Sequence, residues 1–229
     1  ALNKAVDWLY YTGKLPADPI GRLFSTVCYA HRIIFAERDA ANSAIDKITF
    51  VHKEVEKSRG SRIPDWAYRD VLFMLIYYSI ASFEVLERKL SHEEKEEVYD
   101  VFYRFGIRMG LSELAGNYDQ WLVTREQHLQ KDLSPGKYSI DLFQQYKKHL
   151  GSFRFTILLE TQKTLLPPMV RKMLRLDGPA WMVPVIGLYK ASRLLRLDGI
   201  LKNLLLSSKY RSQVKALDII TGRNSFLGI

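Results

Sequence analysis

The 229-residue chain holds one cysteine, Cys28. That excludes an intrachain disulfide and any metal centre built on several thiolates. It suits a reducing, intracellular compartment, although secreted chains without disulfides also exist. Long hydrophobic runs are missing too. The longest, VLFMLIYYSIASF at 71–83, is followed at once by Glu84 and falls short of the roughly 18–20 residues a membrane helix needs. There is no glycine-rich phosphate loop, no H-E-x-x-H zinc motif and no nucleophile elbow. The five histidines, at 31, 52, 92, 128 and 149, show no paired metal-ligand spacing. No alternating strand pattern with hairpin turns occurs, and no internal repeat or low-complexity tract. The chain opens at Ala1 rather than at a methionine, which leaves room for an upstream leader, anchor or tag.

What is present reads as helix. Hydrophobic residues at 47% and charged residues at 26% suit a globular protein with a sizeable core. Asp18 is placed to cap a helix whose first residue is Pro19. The segment 37–60 ends in Lys57, Arg59 and Gly60, a C-terminal stop. The apolar run sits in a segment from Pro64 to Leu90 that is too long for a strand and reads as a buried core helix. Ser91 with Glu94 forms a capping box ahead of the next helix. YSIDLFQQYKKHLGSFRFTILLETQKTLLPP reads as one long helix or two, interrupted near Gly151 and ended by Pro167-Pro168. The expectation is one all-α domain over residues 1–229.

The formal charge is +9, yet basic residues are mixed with acids along the chain, so no nucleic-acid-binding stripe is evident. The C-terminal region, about 186–220, is richer in them: Lys190, Arg193, Arg196, Lys202, Lys209, Arg211 and Lys215. With Trp181, Met182 and many leucines nearby, this amphipathic tail suits peripheral contact with an anionic membrane surface. A solvated helix face over a leucine core accounts for the same pattern.

The segment IDKITFVHKEV, 45–55, puts Ile45, Ile48, His52 and Val55 on one otherwise aliphatic stripe. One helix upstream, residues 20–36 are apolar almost all round, the mark of a central helix. That helix carries Arg22 and Thr26, four residues apart and so on one face. A buried arginine needs an anion. A haem would satisfy all three residues, since its iron takes a neutral imidazole and its propionates pair with arginine. The alternatives are a hydrogen-bonded core histidine and an Arg22 paired with a buried acid such as Glu84.

The string DPIGRLFSTVCYAHRIIFAERDAANSAIDKITFVHKEVEKSRG resembles the opening of the rubber oxygenase (latex clearing protein) and MpaB-type oxygenase family. The family's arginine and threonine one turn apart fall on Arg22 and Thr26. Its "VH" pair falls on Val51-His52, and its basic stretch and glycine on Arg59-Gly60. AYRDVLFMLIYYSIASFEVLERKLS, GIRMGLSELAGNYDQWLVTREQHLQKDL and YKKHLGSFRFTILLETQKTLLPP are similar to later family segments. The resemblance covers roughly residues 18–185. It implies an all-α fold with a globin-like core around haem b, His52 as the proximal iron ligand, and Arg22 and Thr26 near the haem. It also implies dioxygen and cleavage or oxidation of a C=C bond in a hydrophobic, isoprenoid-type or polyprenyl substrate. Ser25 stands where some rubber-cleaving members have a lysine.

Glu84 ends the most apolar run, where burial would raise its pKa and suit it to proton transfer. The other reading pairs it structurally with Arg22 or Arg154. His31 falls off the Arg22–Thr26 face, and His128 and His149, among charged neighbours, are expected at the surface. Two function classes follow. The first is a haem-dependent oxygenase, with Arg22, Thr26 and Glu84 as catalytic candidates. The second is a catalytically silent subunit of a larger, membrane-associated organellar assembly that keeps the fold without the chemistry.

Overall fold

The structure, a computed structural model, describes residue 2 and residues 4–194, the side chains of 31, 32 and 191–194 excepted. Among the described residues ten helices follow one another: α1 Asp7–Tyr11, α2 Lys14–Ala17, α3 Pro19–Ile34, α4 Arg38–Arg59, α5 Asp65–Leu86, α6 His92–Arg108, α7 Tyr118–Asp132, α8 Lys137–Leu165, α9 Pro168–Met173 and α10 Met182–Leu194. Among the described residues there is no strand element, and no helix is long and apolar enough to cross a membrane. The fold is all-α, as expected.

The helix ends follow local chemistry. The Asp18 carboxylate accepts from the Gly21 N–H at 3.1 Å, satisfying a free donor at the start of α3. Ser91 and Glu94 form the reciprocal box at the start of α6. Gly60 closes α4 in the left-handed region at φ 68°, where a side chain would be strained. Gly151 breaks α8 with φ 75° and ψ 163°, so the long C-terminal segment is two helical stretches joined at a kink.

The core is built on α5. Leu72, Phe73, Ile76 and Ile80 pack with Tyr99 of α6, with Leu111, and with Tyr118 and Trp121 of α7. Burial of that apolar surface is the main force holding the three helices together. At Gly106 an added Cβ would lie 2.8 Å from side-chain carbons of both Leu72 and Leu114, so the missing side chain lets α5 and α6 approach. A second cluster, Leu2, Leu129, Leu133 and Val170, joins the N-terminus to α7 and α9. Arg59 ties the end of α4 to α1, through an ion pair with Asp7 and a guanidinium 4.0 Å above the Trp8 ring.

The expectation that α3 is central does not hold. Leu23 is 50% exposed and Ile34 63% exposed. The helix packs on α4, α2 and α8 and leaves the interior to α5. The reason lies in the two sequences. Between Leu72 and Ile80 the only polar atoms of α5 are the Tyr77, Tyr78 and Ser79 hydroxyls, whereas α3 carries the Arg22 charge and the Thr26 hydroxyl, and both of these residues stand exposed.

Candidate functional site

His52 lies midway along α4, on the stripe that begins with buried Ile45. Its ring is half-buried and meets the Tyr68 ring of α5 in a T-shaped contact with centroids 5.4 Å apart. Nδ1 is 2.9 Å from the Ile48 carbonyl oxygen one turn earlier. A carbonyl only accepts, so Nδ1 is the N–H that donates. That fixes the tautomer with the lone pair on Nε2, which has no hydrogen-bond partner among the described residues.

Desolvation by burial holds the ring below the ordinary imidazole value of 6.5; Ile48 and Glu56 act against it, and the Arg22 charge adds to it. His52 is therefore a neutral base with one nitrogen anchored and the other free. That is the state in which an imidazole binds a metal.

Arg22 and Thr26 stand one turn apart on α3, which packs against α4. The Arg22 charge reaches the His52 ring across that contact. Its guanidinium has no ion pair or hydrogen bond among the described residues. The Thr26 hydroxyl donates to the Arg22 carbonyl at 3.0 Å, which leaves its oxygen able to accept. Arg22 is thus an exposed cation on the helix that packs against α4.

Tyr68 and Glu56 support the ring, and sequence reasoning did not single them out. The Tyr68 hydroxyl donates to Glu56 Oε1 at 3.2 Å, and the same oxygen accepts from the Ile63 N–H at 2.9 Å. Glu56 follows His52 by one turn, which is legible in the string VHKEVE. Tyr68 arrives from the next helix and left no local signal.

Glu84 stands apart. Its carboxylate takes Lys89 at 2.9 Å, Lys95 at 3.0 Å and the Leu90 N–H at 3.2 Å, and its side chain is 12% exposed. These contacts, Lys89 first, hold its pKa down to about 2. Burial was expected to raise it, but local lysines outweigh desolvation. Its partners are not Arg22 or Arg154. An ionised carboxylate locked by two ammonium groups is a poor general base, and it pins the loop between α5 and α6.

His128 is buried, 7% exposed, and not at the surface. Its Nε2 is 2.7 Å from Asp70 of α5 and its Nδ1 is 2.9 Å from Asp132. Both nitrogens are engaged, so neither is open to a ligand. His149 is half-buried, and the side chain of His31 lies outside the described residues. Of the basic tail, Lys190 is described and donates to the Glu87 carbonyl at 3.3 Å. Arg196, Lys202, Lys209, Arg211 and Lys215 lie outside the described residues, as does the Arg193 side chain.

With this geometry in place, comparison with known families gives a match over residues 6–196 to the catalytic domain described as "ER-bound oxygenase mpaB/B'/Rubber oxygenase". The chain belongs to the mpaB/rubber oxygenase family. The match runs from the residue before α1 to just beyond α10 and includes all three candidate residues of α3 and α4. Comparison with curated proteins and with solved structures gives no match. Membership of an oxygenase catalytic-domain family carries an oxygenase-type activity, with dioxygen and a small-molecule substrate.

Proposed function

We propose that this oxygenase works with haem b, bound through His52, and oxidises a C=C bond in a hydrophobic isoprenoid-type substrate. The observation that carries the reading is the His52 tautomer: Nδ1–H on the Ile48 carbonyl, Nε2 bare, and the ring held neutral by burial. Metal-ligating imidazoles commonly have that arrangement, the far nitrogen donating to a backbone carbonyl, a carboxylate or water. Among the described residues no cluster of three or more His, Cys, Asp or Glu side chains could cage a metal ion. A metal that brings its own macrocycle needs only one such imidazole.

The haem would supply dioxygen activation; this chain's residues position and polarise. His52 would hold the group through Nε2. Arg22 would offer a charged donor to a carboxylate of that group. Thr26 would offer a hydroxyl one turn further along α3, next to the short side chain of Ser25. Tyr68 packs against the ligand ring and limits its rotation. Glu84 has no part in this scheme.

Titration of the purified protein with haemin tests it. The expected result is a one-to-one complex with a Soret band and oxygen uptake in the presence of an isoprenoid alkene. A titration in which the spectrum stays that of free haemin overturns it. One observation favours the subunit reading instead: Arg22 and Thr26 are exposed, and the Thr26 hydroxyl is already engaged within its own helix. Under that reading haemin does not bind, and Thr26→Val is without effect.

A further inference from the structure

A cavity of about 400 Å³ lies between α5, α7, α8 and α9. It falls within the roughly 300–1,000 Å³ typical of small-molecule sites. Its wall is apolar for the most part, with Phe73, Met74, Leu142, Phe143 and Leu165 among the lining residues. Into that wall is set one cation. Arg125 of α7 lies with its guanidinium carbon 3.8 Å from the Tyr77 ring centroid and 5.8 Å from that of Trp121. The two aromatic faces hold the side chain in place without neutralising it. Among the described residues Arg125 has no carboxylate partner and no hydrogen bond.

Other polar side chains line the wall as well. The Tyr78 and Tyr146 hydroxyls have no hydrogen-bond partner among the described residues. Gln162 Oε1 is buried with no donor, and rotation of that amide about its last torsion would present N–H instead. The one acid among the described lining residues, Asp70, is bonded to His128. An arginine in an apolar, half-buried place with its fork unused is costly unless something anionic reaches it. Burial lowers the Arg125 pKa, in keeping with a guanidinium drawn out of water.

We propose that this cavity is a binding site for an amphipathic monocarboxylate, its carboxylate on the Arg125 guanidinium and its apolar chain along Phe73, Leu142 and Phe143. Tyr78, Tyr146 and Gln162 complete the polar end. The site uses none of the residues assigned to haem and stands independently of that reading.

The test is calorimetric titration of the full chain with dodecanoate, and separately with dodecanol as the uncharged control. Dodecanoate should bind at one site, at least tenfold tighter than dodecanol. Arg125→Met, which keeps length and removes charge, should weaken dodecanoate at least tenfold and leave dodecanol unchanged. Leu142→Trp fills the cavity with Arg125 intact and should abolish binding of both, so the proposal remains testable if Arg125→Met fails to fold. His52→Ala should bind dodecanoate like the parent, which separates this site from haem. Equal binding of acid and alcohol, or undiminished dodecanoate binding in Arg125→Met or Leu142→Trp, overturns the proposal, as does no binding at all.

Discussion

Asp70 of α5 and His128 of α7 meet at 2.7 Å inside the core, each nearly inaccessible to solvent, and Asp132 closes on the other ring nitrogen at 2.9 Å. The bond crosses from the central helix to the helix that carries Trp121 and Arg125. Removing one partner strands a buried polar group, a far larger cost than losing a surface pair. Asp70→Ala should destabilise the fold by about 3 kcal/mol, and Asp70→Asn, which keeps one hydrogen bond, by less. Urea denaturation followed by circular dichroism reads both. A loss under half a kilocalorie for Asp70→Ala would mean the pair does not hold α5 to α7.

Glu84 makes a smaller, pH-dependent contribution. Lys89 and Lys95, with the Leu90 N–H, lower its pKa from 4.5 to about 2. The folded state therefore prefers the ionised form, and the stabilisation is present above 4.5 and lost as pH falls from 4.5 towards 2. Lys89 is largely exposed, so water screens much of the pair. Glu84→Gln should cost about 1 kcal/mol at neutral pH and flatten the acid limb of the stability curve. It should leave turnover intact. A loss of turnover with stability unchanged would return Glu84 to the catalytic candidates.

Arg22 and Thr26 separate the two functional readings. Thr26→Val keeps shape and removes the hydroxyl. It should leave haem bound and lower turnover by about 100-fold, the scale of one transition-state hydrogen bond. Arg22→Ala should weaken haem retention as well, since a propionate would lose its charged partner. Stopped-flow oxygen uptake and the haem-to-protein ratio measure the two effects. Full activity in both variants would leave α3 with no role in the chemistry.

The His52 titration carries its own sign. Burial, aided by Arg22, keeps the folded imidazole neutral to a pH below 6.5, while the unfolded chain takes up the proton at 6.5. Between those values the unfolded state binds more protons, so stability falls as pH drops below 6.5 and the penalty is complete once the folded ring protonates. NMR titration of the haem-free protein should give a midpoint below 6.5, and Arg22→Met should move it upward. A midpoint above 6.5 would contradict the geometry.

Helix ends were legible because their signals are local. Asp18 with Pro19, Ser91 with Glu94, Gly60 and Gly151 each act within one turn. Which helix takes the centre was not. Segments 20–36 and 71–83 both read as buried, and only packing against Tyr99 and Trp121 decides for the second. His128 reads as a surface residue for the same reason: its neighbours in sequence are charged, but its buried partner Asp70 comes from 58 residues away. The pairing of Glu84 turned on whether a loop folds back to bring Lys89 and Lys95 to it, which spacing alone does not specify. The stripe of His52 was legible from periodicity. Its tautomer, its bare Nε2 and the T-shaped contact with Tyr68 required coordinates.

The most direct measurement is the haem spectrum of His52→Ala after haemin titration, alongside the parent protein. The account predicts that the variant keeps its far-ultraviolet helix signal, loses stoichiometric haem and its Soret band, and recovers both in part when free imidazole is added. A variant that binds a full complement of haem with the parent's spectrum, without added imidazole, would show that another group holds the iron and would contradict the account at its centre.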